Sequence, residues 1–256
     1  MSRFVRYANL PEREVTDVIV SDQCPDICRE LTEQYHARQW VPAPIRDISG
    51  AERFHADMSV CHLGKNQFVL DEHNHALGRM LAGEGAIIRY SEPVTAARPV
   101  LNVCLLRDRL ICREIMTEPF VLEECEKKGM TLFDTAQRYA KCSCAVVNAD
   151  SVITSDPSIE KCCRKAGMNV LRIRSGYIRL PGYAYGFIGG CCGLLSERLL
   201  GFSGDIRRHP DYDNIRDFAG NVQVEVVSLG TGILYDIGGI LPIMERDDEK
   251  NEGGQN

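Results

Sequence analysis

Covalent chemistry at neutral pH needs a nucleophile beside a proton acceptor, and this sequence supplies the two unevenly, with twelve cysteines but six histidines. A thiol becomes reactive when a base or an electropositive pocket favours its thiolate, and imidazole, titrating near 6.5 when unperturbed, suits the role of base. Cys191, which follows Ile188-Gly189-Gly190, and His55, which opens His55-Ala56-Asp57-Met58, form the one Cys/His pair that the pattern of elements can bring together. Asp57 adds a carboxylate able to hold a cationic group through a charge-assisted hydrogen bond. Asn102, Tyr185 and Asp236 stand at comparable points of other segments and are expected to bind substrate, with Cys144, Cys192 and Tyr235 nearby. The remaining near pairs of thiols, Cys24/Cys28, Cys142/Cys144 and Cys162/Cys163, miss the C-x2-C spacing of structural zinc, so no metal and no other cofactor is expected.

These residues meet only if the segments carrying them converge. Residues 15–21 (VTDVIVS) read as a strand, 25–36 as a helix with Pro25 in its first turn, and RQWVP as a second strand. A cycle then repeats: apolar leading strand, tight turn, second strand, helix, third strand. Its copies lead with 54–64, 99–106, 141–147 and 184–196, about 42 to 50 residues apart, a period expected of propeller-like repeats. The stretch 233–244 supplies only a leading strand, the piece that residues 15–43 lack. The reading is an α/β chain of five ββαβ units, with the C-terminal strand completing the N-terminal unit. A doubly wound parallel sheet also alternates strands and helices, but turns of two or three residues require antiparallel neighbours. Helix ends agree: Asp156-Pro157 reads as an N-cap followed by proline at the first position, and Gly129 and Gly167 follow helices.

Composition sets the outer limits. With 44% hydrophobic and 26% charged residues in 256, the chain can build a sizeable core, and disorder, collagen and coiled coil are excluded. Residues 1–244 are expected to form one domain and 245–256 a disordered tail. No apolar run approaches the roughly 20 residues that span a bilayer, and the first fifteen residues lack a secretory core, so a cytoplasmic protein with reduced thiols is expected. A net charge of -6 without a basic stripe argues against nucleic acid and anionic membrane as partners, leaving a small-molecule ligand and a possible homodimer.

The repeat resembles the pentein fold, the five-bladed β/α-propeller of the guanidino-group-modifying enzymes, which include arginine and agmatine deiminases, dimethylargininases and amidinotransferases. The likeness covers nearly the whole chain and rests on repeat architecture. It implies a site in a central channel where the leading strands converge, with a Cys nucleophile, a His base and acidic residues around a guanidinium. His55-Ala56-Asp57-Met58 stands where the family often has Glu-Gly-Gly-Asp, which makes Asp57 the matching acid. The family Cys follows a Gly pair on the last leading strand; here Asp236 to Pro242 keeps Gly238-Gly239 without a thiol, and Gly189-Gly190-Cys191 offers the pattern one unit earlier. The family His would fall near Lys141 to Cys144, where there is none.

The resemblance thus implies a hydrolase or amidinotransferase-like enzyme acting on a small guanidino or amidine compound. His55 and Cys191 would be catalytic, and Asp57, Asn102, Tyr185, Asp236 and Arg179 would bind substrate. The alternative is a non-catalytic pentein that binds a ligand or a macromolecule, as the ribosome anti-association factor of this fold class does. The loop 174–186, RSGYIRLPGYAYG, is expected to fold over the channel mouth, its Arg174 and Arg179 favouring a carboxylate on the ligand.

Overall fold

Turn length decides the architecture. In the second to fifth units, turns of two to four residues join the first two strands, which pair antiparallel, and a helix carries the chain round so that the third strand pairs parallel with the second. The computed structural model describes residues 1–247, among which the chain forms five small sheets and six α-helices. The first unit holds β1 (Ser2–Phe4), β2 (Val15–Ile19), α1 (Pro25–Glu33) and β3 (Arg38–Trp40). The second holds α2 (Ala56–Ser59), β4 (Val60–His62), β5 (Gln67–Leu70), α3 (His75–Gly83) and β6 (Ile87–Tyr90). The third has β7 (Cys104–Leu105), β8 (Arg109–Cys112), α4 (Pro119–Lys127) and β9 (Thr131–Asp134). The fourth has β10 (Ala145–Asn148), β11 (Ser151–Thr154), α5 (Pro157–Lys165) and β12 (Asn169–Arg172), and the fifth β13 (Cys192–Ser196), β14 (Leu199–Ser203), α6 (Tyr212–Gly220) and β15 (Glu225–Leu229). The last strand, β16 (Leu241–Arg246), enters the first sheet in the order β1-β16-β2-β3.

Each of the five longer helices, α1 and α3 to α6, covers its sheet with a narrow apolar face. On α5 that face is Ile159, Cys162 and Cys163, an i, i+3, i+4 set. Asp156 caps it by accepting from the amides of Ser158 at 2.7 Å and Ile159 at 3.0 Å, and Gly129 and Gly167 take φ of 70° and 74° just beyond α4 and α5. Ten of the twelve cysteines are buried, most of them within these apolar layers, where a thiol packs as a small hydrophobe.

The leading segments depart from the expected continuous strands, all in the same way. Their first halves are coil or single helical turns, and strand begins only at Val60, Cys104, Ala145, Cys192 and Leu241. Backbone groups there bond across units instead of along a ladder: the Asp57 amide donates to Gly238 at 3.0 Å, that of Gly190 to Cys142 at 2.9 Å, and that of Gly239 to Gly190 at 2.7 Å. Crowding forces this exchange, because the segments pass too close for side chains. A Cβ on Gly238 would lie 2.7 Å from the Ala56 nitrogen.

Two corrections concern the chain ends. β1, too short and polar to register as a strand in the sequence, pairs with β16. β16 runs on through Arg246, so Glu245 and Arg246 belong to a sheet and not to a tail; Asp248 to Asn256 lie outside the described residues. Glu245 is fully buried and accepts from Arg3 Nε at 3.1 Å and from the amides of Glu12 at 2.6 Å and Arg13 at 3.0 Å, which ties residues 3–13 to the last strand. Among the described residues no helix is long and apolar enough to cross a membrane.

Candidate active site

Where the irregular halves of the leading segments meet, a cavity of about 320 Å³ opens between Glu52, His55, Cys142 and Asp236 on one side and Tyr139, Tyr183, Tyr185 and Phe187 on the other. The short turn 51–54 positions Glu52, and α2 follows directly, so His55 and Asp57 fall on consecutive turns rather than on a strand. His55 is buried, with Nδ1 3.7 Å from Asp236 Oδ1. Asp236 is fixed by backbone donors, the Gly238 amide at 3.1 Å on Oδ1 and the Phe187 amide at 2.8 Å on Oδ2.

The thiol at this site is Cys142. Its Sγ donates to Asp57 Oδ2 at 2.8 Å, and Asn102 holds it in place: Asn102 Oδ1 accepts from the Lys141 and Cys142 amides at 2.9 and 3.2 Å, while Nδ2 donates to Cys142 Sγ at 3.3 Å. Asn102 is buried behind Cys142 and is not among the residues that line the cavity. Cys191 is carried elsewhere. It lies in the apolar cluster of the fourth and fifth units, its Sγ turned to the Ile188 carbonyl at 3.2 Å, and burial pushes its pKa well above the ordinary thiol value. The structure brings together His55, Asp57 and Asp236 from the expected set, with Tyr185 on the wall, but not Cys191.

Arg179 also stands apart. Its backbone bridges to Tyr235 and its guanidinium lies 5.9 Å from that ring, outside the cavity lining. Arg174 is engaged with Asp211 at 2.8 Å on the far side of the loop. The loop itself does cover the mouth, through Leu180 and Tyr183 to Phe187, and Tyr183 Oη donates to Glu52 Oε1. The other carboxylate oxygen of Glu52 is buried and has no hydrogen-bond partner among the described residues.

Electrostatics set the resting protonation. Burial raises the Asp57 pKa to about 6, opposed by the charges of His55 and Lys141 and reinforced by that of Asp236. Burial pushes the Cys142 thiol well up, and the charges of Asp57 and Asp236 push it further, so the pair rests as a neutral thiol on a carboxylate. Burial disfavours the Lys141 ammonium, but the Asp57 charge together with Cys192, Cys104 and Cys142 outweighs it, and the net shift is upward. His55, Asp57 and Cys142 each offer one donor atom within 4.8 Å of the others, a set that could hold a soft divalent cation.

A pH dependence follows. Asp57 binds its proton more tightly folded than unfolded, so between about pH 4 and the folded pKa of about 6 the native state carries the extra proton. Stability therefore falls as pH rises through that window, by roughly 3 kcal/mol at most, and levels off above it. Denaturant titrations from pH 4 to 8 should show this slope in the natural chain and a flatter profile in Asp57→Asn.

Sequence reasoning missed Cys142, Glu52 and Lys141, and of the aromatic wall it missed Tyr139 and Phe187. Cys142 sits one residue from Lys141 in KCSC, where alternation alone gives Cys144 an equal claim, and Glu52 lies in a stretch with no periodic signal.

Five three- or four-stranded sheets with this strand order, with polar residues meeting at the starts of the leading segments, give the protein a pentein-like α/β fold. The chain belongs to the family of unknown function DUF6873, which matches residues 19–241. No curated protein matches it. Among solved structures, an amidinotransferase of the saxitoxin biosynthetic pathway from Microseira wollei is similar with a TM-score of 0.60 at 8% identity, over 95% of this chain and 98% of that one. A substrate-bound agmatine deiminase from C. jejuni gives 0.53 at 6% identity, over 95% and 96%. Inosamine-phosphate amidinotransferase from Streptomyces griseus gives 0.51 at 10%, over 94% and 97%. At these identities the likeness is one of fold.

Proposed function

We propose that the five sheets are the blades of a β/α-propeller and that its central cavity carries a thiol-dependent enzyme activity on a small guanidino or amidine compound, as hydrolase or amidinotransferase. The observation that carries this reading is the Cys142–Asp57 hydrogen bond at the floor of a cavity that also presents His55, Asp236 and Glu52. A planar cation seated against Asp236 and Glu52 supplies the positive charge that the thiol lacks at rest, which lowers its pKa as the substrate arrives. Asp57 then takes the Cys142 proton and the sulfur attacks the amidine carbon. The C–N bond to the departing amine breaks as His55 delivers a proton to that nitrogen, leaving the amidino carbon on sulfur. Water or an acceptor amine attacks the same carbon and gives its proton to His55, and the C–S bond breaks with its electron pair returning to sulfur, which takes back the proton from Asp57.

The wall chemistry narrows the substrate. The lining residues include two carboxylates and four phenyl or phenol rings but no lysine or arginine, so no permanent cation there pairs with a ligand carboxylate. The reading favours an amine-tailed or apolar-tailed amidine over an amino acid, which reverses the expectation attached to Arg174 and Arg179. Incubation of the full chain with chloroacetamidine, followed by peptide mass spectrometry, tests it. Alkylation should fall on Cys142, and agmatine should protect that thiol better than L-arginine. Labelling confined to other cysteines, or equal protection by the two compounds, overturns the assignment.

A further inference from the structure

A second cavity, of about 430 Å³, opens where the 63–66 and 106–108 turns of the second and third units face residues 6–8. These turns lie at the far ends of β4 and β7 from His55 and Asn102, and the two cavities share no lining residue. Arg6, Lys65, Arg107 and Lys128 line it, with Tyr7 and Asn66, and no acidic side chain does. Among the described residues none of the four cations has an ion-pair partner. The acids beside them are engaged elsewhere, Asp108 with Arg109 at 3.3 Å and Glu124 with Lys127 at 2.8 Å.

The cations are held, not merely near one another. Arg6 and Arg107 both lie over the Tyr7 ring, 5.1 and 5.2 Å from its centre, two like charges on one aromatic face system. Lys65 is fixed in a left-handed conformation, φ 52°, after Gly64 at φ 86°, and its amide donates to the Val5 carbonyl at 2.8 Å. Its own carbonyl contacts His62 Nε2 at 2.7 Å. Lys128 gives one proton to the Leu63 carbonyl at 2.9 Å and keeps two for a ligand. All four residues are exposed, and four like charges around one hollow of a protein with a net charge of -6 make a local positive potential that attracts an anion.

We propose that this hollow binds a small polyphosphate anion, of the class of pyrophosphate or the diphosphate of a nucleotide. Two guanidiniums provide bidentate donors and two ammoniums provide point charges, the mixture that suits adjoining phosphates. The volume falls in the range of small-molecule sites. A long nucleic acid is disfavoured because the basic residues gather around one hollow and form no continuous stripe, and the protein as a whole carries a net charge of -6.

Calorimetric titration of the full chain with pyrophosphate tests the proposal. Saturable binding at one site is expected, weakening as sodium chloride is raised. The double variant Lys65→Asn/Arg107→Gln should bind at least tenfold more weakly with an unchanged melting temperature, since asparagine tolerates the left-handed backbone. Should that variant melt early, Arg6→Gln, at an exposed position, should still reduce affinity. Absence of saturable binding, affinity unchanged in these variants, or tighter binding of a single-stranded oligonucleotide than of pyrophosphate overturns the assignment.

Discussion

Cys142→Ser should lose at least about 1,000-fold in turnover of any guanidino substrate found, the scale set by removing a nucleophile that acts as a unit with its base. Serine keeps a hydroxyl that can donate to Asp57 Oδ2, as the thiol does at 2.8 Å, so the folded site should survive and the loss should fall on the chemical step. Its oxygen, far less acidic than sulfur, gains little from the cationic substrate. Cys191→Ala is the informative partner. That thiol is packed in an apolar layer and bonded to the Ile188 carbonyl, so its removal should cost on the order of 1 kcal/mol of stability through the small cavity left, with turnover unchanged. Steady-state kinetics and urea melts on the two variants separate the roles; loss of turnover in Cys191→Ala with retention in Cys142→Ser reverses them.

Gly189→Ala should be among the most destabilising single-methyl changes available, by about 3 kcal/mol or more, with activity falling in step. A Cβ there would sit 2.5 Å from the Cys144 carbonyl oxygen and closer still to that of Lys141. Both obstacles are backbone, so no rotamer change relieves them, and the segment that must retreat is the one carrying Cys142. Gly83→Ala is the control: it lies at the end of α3, exposed, with nothing within 4 Å of an added Cβ, and should stabilise by up to about 1 kcal/mol. Equal melting temperatures for the two variants would show that the central segments can part, and that the close approach of the glycines does not position the thiol.

The repeat itself was legible because its signals are local. Hairpin turns, Asp156-Pro157, Gly129 and Gly167, and the apolar faces of the helices each act over a few residues, and the five longer helices and the antiparallel-then-parallel strand pairings follow from them, whereas α2 falls in a stretch that reads as strand. The site was legible only where residue type and segment start coincide, as at His55, Asp57 and Asp236. Cys142 was not, because the first half of its segment is not strand. Alternation along KCSC places Cys142 and Cys144 on one face, whereas the observed turn at Lys141 to Cys144 sends Cys142 to Asp57 and Cys144 into the core. Glu52 depends on Tyr183, 131 residues away, and no local pattern carries that pairing. Arg179 lies on a loop expected over the channel mouth and so reads as a partner for a ligand carboxylate, whereas its guanidinium sits by the Tyr235 ring, outside the cavity lining.

The place of β16, between β1 and β2, bears on how the chain reaches this structure. Arg3 and Glu245 are 242 residues apart in sequence, so the first sheet closes the longest loop in the molecule, and its closure entropy is met only when the other units have drawn the ends together. That sheet is the natural last step of folding. Until it forms, β2 shows Val15, Val18 and Ile19 on an open hydrogen-bonding edge, the kind of surface on which incomplete molecules pair with one another.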